Sequence, residues 1–450
     1  MMGTKTRSFS PLPRDVSLDD LVPENHFYRR LEERLDLSFV RELVGPLYAK
    51  GGRPSVDPVV FFKLQLVMFF EDLRSERQLM RVVCDRLSLR WYLLGYDLHE
   101  PLPDHSSLTR IRERFGLSDF RRFFERIVEE CFEAGLVWGE ELFFDATKVE
   151  ANASIDSTRS RSLVEGRLEE HLAGVFPEHA PPDPAEKHPG VVADAVGPEG
   201  QERQALARKN ALGHRWIAGA GRQERGVVRW GYKRMADLRV STTDPDASPM
   251  HQKKKRGSTS KLGYLTHYVV VDGGKARVIL NVLVTAAEVT ENLPMQEMLF
   301  GSAFRWRLRP RSVTGDAAYG TRENIAAIEK AGIRAYTALA EQGKRTSLLT
   351  IEDFVYDSER DLYTCPRGET LRRRGHDHRG GYVRYAAKAS SCNPCPLKSK
   401  CTKGPKGRWL SRGLEEEYLE RVRAYGQTEA YRKALRKRAV WVEPLFAEAK

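Results

Sequence analysis

ELFFDATKV, residues 141 to 149, is a run of aromatic and branched residues interrupted by one acid, and its reading decides the fold. Such content predicts a β-strand. Side chains alternate along a strand, so Phe143, Asp145 and Thr147 face one way while Leu142, Phe144 and Ala146 face the other. Asp145 is then expected beside an apolar neighbour and close to the polar end of its strand. A carboxylate there is costly without a partner, and a divalent metal is one such partner. The competing reading is a turn-forming Asp at a strand end, the commoner outcome for a lone acid.

A second acid in a similar setting shifts the balance. SVTGDAAYG, residues 312 to 320, puts Asp316 at the end of a short strand, after Gly315 and before Ala317 and Ala318, where backbone or ligand can approach closely. Ligands of α/β sheets sit outside the carboxyl ends of the strands. A third acid lies in AVWVEPLFAEAK, residues 439 to 450, which offers Glu443 and Glu448. Pro444 is tolerated in a first helical turn, so Glu443 is expected at or just before a helix start, with Lys450 about two turns along. Taken alone, this is an ordinary amphipathic helix with solvated acids.

The surrounding pattern places these acids in an α/β domain with a mixed sheet. From residue 262 it reads strand, strand, helix, strand, helix, strand: GYLTHYVVVDGG, ARVILNVLVTAA, TENLPMQEMLFGSAFRW, SVTGDAAYG, TRENIAAIEKAG and IRAYTALA. Residues 15 to about 135 read instead as helices, with apolar residues recurring at three and four. Within them PDHSSLTRIRERFG carries Arg110, Arg112 and Arg114, which suits either helix-turn-helix DNA binding or a plain bundle with a solvated Arg face. Residues 155 to about 235 are polar and are expected to form charged helices around the loop HAPPDPAEKHPG. His105 fits a helix start, and His267 shares a strand face with Leu265 and Val269; neither has a partner that spacing can name.

At 450 residues the chain has room for about three average domains. Its 74 Lys and Arg against 62 Asp and Glu give a net charge of +12, which favours a polyanion as partner. The charge is clustered, as in HQKKKRGSTSK (251 to 261, with Lys253, Lys254, Lys255 and Arg256) and YRKALRKR (431 to 438, with Arg436 and Arg438). No apolar signal core opens the chain and no run is long enough to span a bilayer, so a cytoplasmic protein is expected.

Four of the six cysteines cluster late. Cys365, Cys392, Cys395 and Cys401 form C-x26-C-x2-C-x5-C with Pro or Gly beside the sulfurs, which favours a structural zinc ion over four free thiols.

Two aspartates on strands and a glutamate on a helix resemble an RNase H-like catalytic site. The chain resembles bacterial insertion-sequence transposases of the DDE class, close to the group written in words as IS-eleven-eighty-two-like, nearly from end to end. GRPSVDPVVFFKLQLVMFF and PLPDHSSLTRIRERF are similar to their N-terminal helical domain, FFDATKVEANAS to the first-Asp segment, TTDPDA with KLGYLTHYVVVD to the strands that follow, TGDAAYGTREN to the second-Asp segment and VEPLFAEAK to the Glu segment. The resemblance implies metal-dependent DNA cleavage and strand transfer, with Asp145, Asp316 and Glu443 holding Mg2+ (or Mn2+) and Lys450 touching a phosphate near the cut, Arg436 or Arg438 doing likewise. It implies as partner double-stranded DNA, both terminal inverted repeats and target, and a homodimer in the active complex at the nucleoid. The expected layout is a helical DNA-binding domain over 1–137, an RNase H-like mixed-sheet catalytic domain over 138–154, 260–342 and 412–450, a charged insertion over 155–259 and a Cys-rich insertion over 343–411. Relatives continue past the point where this chain stops, so impaired activity is also an expectation. A catalytically inactive, truncated DNA-binding protein or regulator is the alternative function.

Overall fold

The computed structural model describes residues 16–48, 51, 55–160, 239–250, 261–274, 276–339, 347–377 and 381–448. The chain divides at residue 130 into two compact units.

The first unit is helical: α1 (Leu18–Leu21), α2 (Phe27–Arg34), α3 (Phe39–Val44), α4 (Pro58–Phe70), α5 (Glu76–Asp85), α6 (Leu87–Tyr92) and the start of α7 (His105–Glu133). Asp57 starts α4 by accepting from the Val59 amide at 2.8 Å, with Pro58 at the first helical position, where its missing N–H costs nothing. Apolar on nearly every side, α4 buries Val59, Val60, Phe61, Phe62, Leu64 and Val67 and forms the middle of the core. A kink at Gly116, with φ at 65°, interrupts α7. The arginines expected to face DNA are partly engaged inside this unit: Arg112 pairs with Glu76, and Arg114 lies 5.0 Å over the Tyr48 ring. All three arginines are nonetheless exposed, and the Arg110 guanidinium lies 3.3 Å from the Ser106 hydroxyl.

The second unit is built on a mixed sheet of β1 (Glu141–Glu150), β4 (Ser248–Pro249), β5 (Leu262–Gly273), β6 (Ala276–Ala286), β7 (Ser312–Gly315) and β8 (Arg334–Thr337). The order is β4-β5-β1-β7-β8, with β6 also on β5. Strands β1, β5 and β6 pair antiparallel, whereas β7 and β8 run parallel to β1. Helices α8 (Met295–Arg305) and α9 (Arg322–Lys330) make the crossovers into β7 and β8. This is the RNase H-like arrangement, and strands and helices follow the order that periodicity predicts.

One expectation is corrected. Asp145 does not sit near the end of its strand: β1 continues to Glu150, because β5 pairs with it from Leu142 through Glu150. What stops near Asp145 is β7, whose pairing with β1 ends at Phe143 opposite Thr314. Asp145 therefore stands inside one strand and just beyond the end of the next.

A rod of α10 (Glu416–Tyr425), α11 (Glu429–Lys437), a π turn (Arg438–Val442) and α12 (Glu443–Glu448) closes the unit. Val442, Trp441 and Leu445 pack on Phe143, Tyr268 and Val270, the face of the sheet that Asp145 shares. Lys437 pairs with Glu141 and with Asp272, at 3.6 Å, and lies 4.8 Å over the Trp441 ring. Glu443 is the first residue of α12, as expected, and that helix follows directly on the π turn. The π turn accommodates Pro444: the Glu443 amide bonds to the Arg438 carbonyl five residues back.

Residues 343 to 411 hold strands that the composition did not suggest. β9 (Val355–Asp357), β10 (Leu362–Thr364), β11 (Thr370–Asp377), β12 (Tyr382–Ala386) and β13 (Trp409–Gly413) form an antiparallel sheet over Phe354, Tyr363, Leu371, Tyr385 and Leu410. Arg412 ties it to α10 through Glu420, and Arg423 of α10 reaches Glu352 at 3.3 Å. The neck of the other insertion is a short pair, β2 (Thr158–Ser160) with β3 (Arg239–Ser241). The charged helices expected within 161–238, and Lys253, Lys254, Lys255 and Arg256, lie outside the described residues. No helix among the described residues is long and apolar enough to cross a membrane.

His267 is 2% exposed, with its Nε2 2.9 Å from the Thr285 hydroxyl, and burial pushes its imidazole down to about 4. Neutral in the fold but protonated near 6.5 when unfolded, it contributes stability that is present above that pH and is lost as pH falls toward about 4. The linkage is on the order of 3 kcal/mol. Denaturant unfolding at neutral pH and at about pH 4.5 should show His267→Asn losing less stability over the interval than the wild type; equal losses would exclude this histidine as a source of the acid sensitivity.

Candidate active site

Three acids from three distant segments meet where β7 ends. Asp145, on β1, is largely buried; its Oδ1 accepts from the Ala146 amide at 2.8 Å. Asp316 follows β7 directly and its Oδ1 accepts from the Ala318 amide at 2.8 Å, which folds the chain into a tight turn. Glu443 begins α12 on the rod that covers this face.

Arg438 joins two of them. Its guanidinium is 2.5 Å from Asp145 Oδ2 and 2.9 Å from Glu443 Oε1, with only 13% of its side chain exposed. Residues 438 and 443 are thus linked twice, by the side chains and by the π-turn backbone bond. Arg436, by contrast, is exposed. Lys450 lies outside the described residues, as does the side chain of Glu448.

The Asp145 carboxyl is held above its ordinary range, first by burial; Arg438 and the Ala146 amide oppose this, and Asp316 and Glu443 add to it. Carboxylate oxygens gathered in this way form a donor set suited to a hard divalent cation. Among the described residues no three His, Cys, Asp or Glu side chains stand in coordinating geometry, and here the Arg438 guanidinium takes the place between Asp145 and Glu443.

Arg438→Ala leaves these two carboxylates without their counter-ion, so the metal-free protein should lose roughly 2 kcal/mol. Added Mn2+ should restore more stability to the variant than to the wild type. Thermal melts with and without Mn2+ check this, and an unchanged metal-free melting temperature would remove Arg438 from the role.

Glu291 was missed in the sequence. It follows β6, and its carboxyl is raised by burial and then by Asp316 and Asp145, with Lys148 and Arg438 acting oppositely. The strand-end argument that singled out Asp316 applies equally to the polar stretch EVTENLP, residues 288 to 294.

The four late cysteines come together at one cavity, beside Phe354 and Arg408, and form no disulfide. The Arg367 amide points at Cys365 Sγ (3.4 Å) and the Arg408 amide at Cys392 Sγ (3.5 Å). Burial raises the Cys401 thiol; Arg408 opposes this and the other three cysteines add to it. Four thiols form a soft donor set whose chemistry suits zinc, but they do not stand in coordinating geometry here.

A mixed sheet of this order, with acids beyond its strand ends and a third on a covering helix, defines the RNase H-like class. Residues 16–114 match the family described as Transposase domain (DUF772). Residues 236–397 and 364–450 match two families, each described as Transposase DDE domain; the first span holds Asp316 and the second Glu443. No curated protein and no solved structure matches the chain. The chain belongs to the insertion-sequence DDE transposases, enzymes that cleave and transfer DNA strands.

Proposed function

We propose that Asp145, Asp316 and Glu443 are the catalytic acids of this transposase and that they hold its divalent cations, Mg2+ or Mn2+. The observation that carries the reading is the convergence of the three carboxylates, with Arg438 bridging the first and third. Cations bound there supply activation of a water or a terminal hydroxyl and stabilisation of the leaving oxygen. Asp145 and Asp316 each accept a backbone amide on Oδ1, which orients both carboxyl groups, and the second oxygen of Asp145 is taken by Arg438. Arg438 keeps Asp145 and Glu443 together in the metal-free protein and is placed to meet a phosphate once released. Arg436, on the rod, and Lys450, outside the described residues, are assigned to phosphate contacts.

The helical unit, through its exposed Arg110, Arg112 and Arg114, and Lys253, Lys254, Lys255 and Arg256 are assigned to the terminal repeats and target. Holding two ends at once calls for at least a homodimer. Action on chromosomal DNA places the protein in the cytoplasm, at the nucleoid. Cys365, Cys392, Cys395 and Cys401 are assigned to a structural zinc ion. The reading is tested by cleavage of labelled DNA carrying the element's own ends, in Mg2+ or Mn2+, with the whole chain and its Asp316→Ala variant. Cleavage that survives in the variant would reject the assignment.

A further inference from the structure

We propose that Glu291 is a fourth carboxylate of the divalent-cation site, with the buried hydroxyl of Tyr319 as the donor that orders it; this rests on reading Asp145, Asp316 and Glu443 as the metal-holding acids. The loop that carries Glu291 is fastened to the turn that carries Asp316. Asn324, 3% exposed at the start of α9, donates through Nδ2 to the carbonyls of Asn292 (3.0 Å) and Tyr319 (3.3 Å). Its Oδ1 accepts from Gln296 at 3.1 Å, so one buried amide clamps both loops. The residue next to Glu291 is thus fixed against the turn three residues past Asp316.

Tyr319 supplies an independent sign of a missing ligand. It is 1% exposed, and its hydroxyl has no hydrogen-bond partner. Packing holds the ring: Phe144 meets it edge to face at 6.1 Å, and Gly315 leaves room for it, since a Cβ there would stand 3.0 Å from the ring. The hydroxyl lies within the electrostatic reach of Glu291, Asp145 and Asp316; burial first, and then these acids, hold it well above its ordinary range. A buried hydroxyl is costly when left unpaired, and a metal-bound water or an ordered carboxylate would satisfy it.

A fourth acid adds negative charge and oxygen donors of the kind a hard divalent cation takes.

Mn2+ binding to the whole chain, followed by electron paramagnetic resonance with thermal melts alongside, tests the inference. Glu291→Gln should weaken Mn2+ binding about tenfold or more, and Tyr319→Phe should weaken it less, with binding of end DNA unchanged in both. Glu291→Asp, which keeps the charge, should regain part of the affinity and guards against a simple folding defect. Full Mn2+ affinity in Glu291→Gln together with weakened binding in Asp316→Asn would overturn the role of Glu291 and leave the three-acid reading standing. Unchanged binding in both variants would overturn the three-acid reading as well.

Discussion

Asp145→Asn and Asp316→Asn are each expected to lose DNA strand cleavage by at least about a thousandfold while keeping binding to the element's ends. The amide has the shape of the acid, so packing is preserved and only charge is removed. DNA affinity, carried by Lys and Arg contacts to phosphates, does not pass through these side chains. The metal-free fold should not suffer either. The Asp145 carboxyl titrates above its ordinary range, chiefly because of burial, so its ionised form opposes folding at neutral pH. Substitution removes that cost, and the metal-free melting temperature should hold or rise. Gel-resolved cleavage, end binding and melts on the same preparations check the three parts. Equal loss of binding and cleavage would mean a structural role instead.

If Cys365, Cys392, Cys395 and Cys401 hold zinc as proposed, its removal should produce the largest change in stability. Structural zinc sites contribute about 10–16 kcal/mol of apparent folding free energy, far more than the small core of Phe354, Tyr363, Leu371, Tyr385 and Leu410 can replace. A strong chelator, or Cys392→Ser with Cys395→Ser, should open residues 347 to 411 to proteolysis. Cleavage should fall with it, because Arg412 and Arg423 couple this sheet to α10 and so to the rod that carries Glu443. One zinc per chain by metal analysis, lost in the double variant, is the expected reading. Absence of bound zinc from protein purified without chelators would dismiss the site.

Much of the catalytic core could be read from periodicity, because its signals are local. The alternation in ELFFDATKV, the acid after SVTG and the strand and helix order from 262 to 337 each depend on residues within a few positions of one another. The Cys-rich segment was harder. Its strands are short and carry Arg on their open face, as in TLRRRGHD, so their buried positions, such as Leu371, Val383 and Tyr385, do not stand out from the charge around them.

By itself, then, the sequence determined the fold class, the two strand-borne aspartates and the clustered cysteines. Only the tertiary structure decided that Asp145 lies within its strand, that Arg438 pairs with Asp145 and Glu443, and that Glu291 and Tyr319 come under the influence of the same acids. The physical reason is range. Secondary structure follows from spacing along the chain, but the environment of a charge depends on which distant segments the sheet order and the Asn324 clamp bring to the same few ångströms, and no local pattern records that.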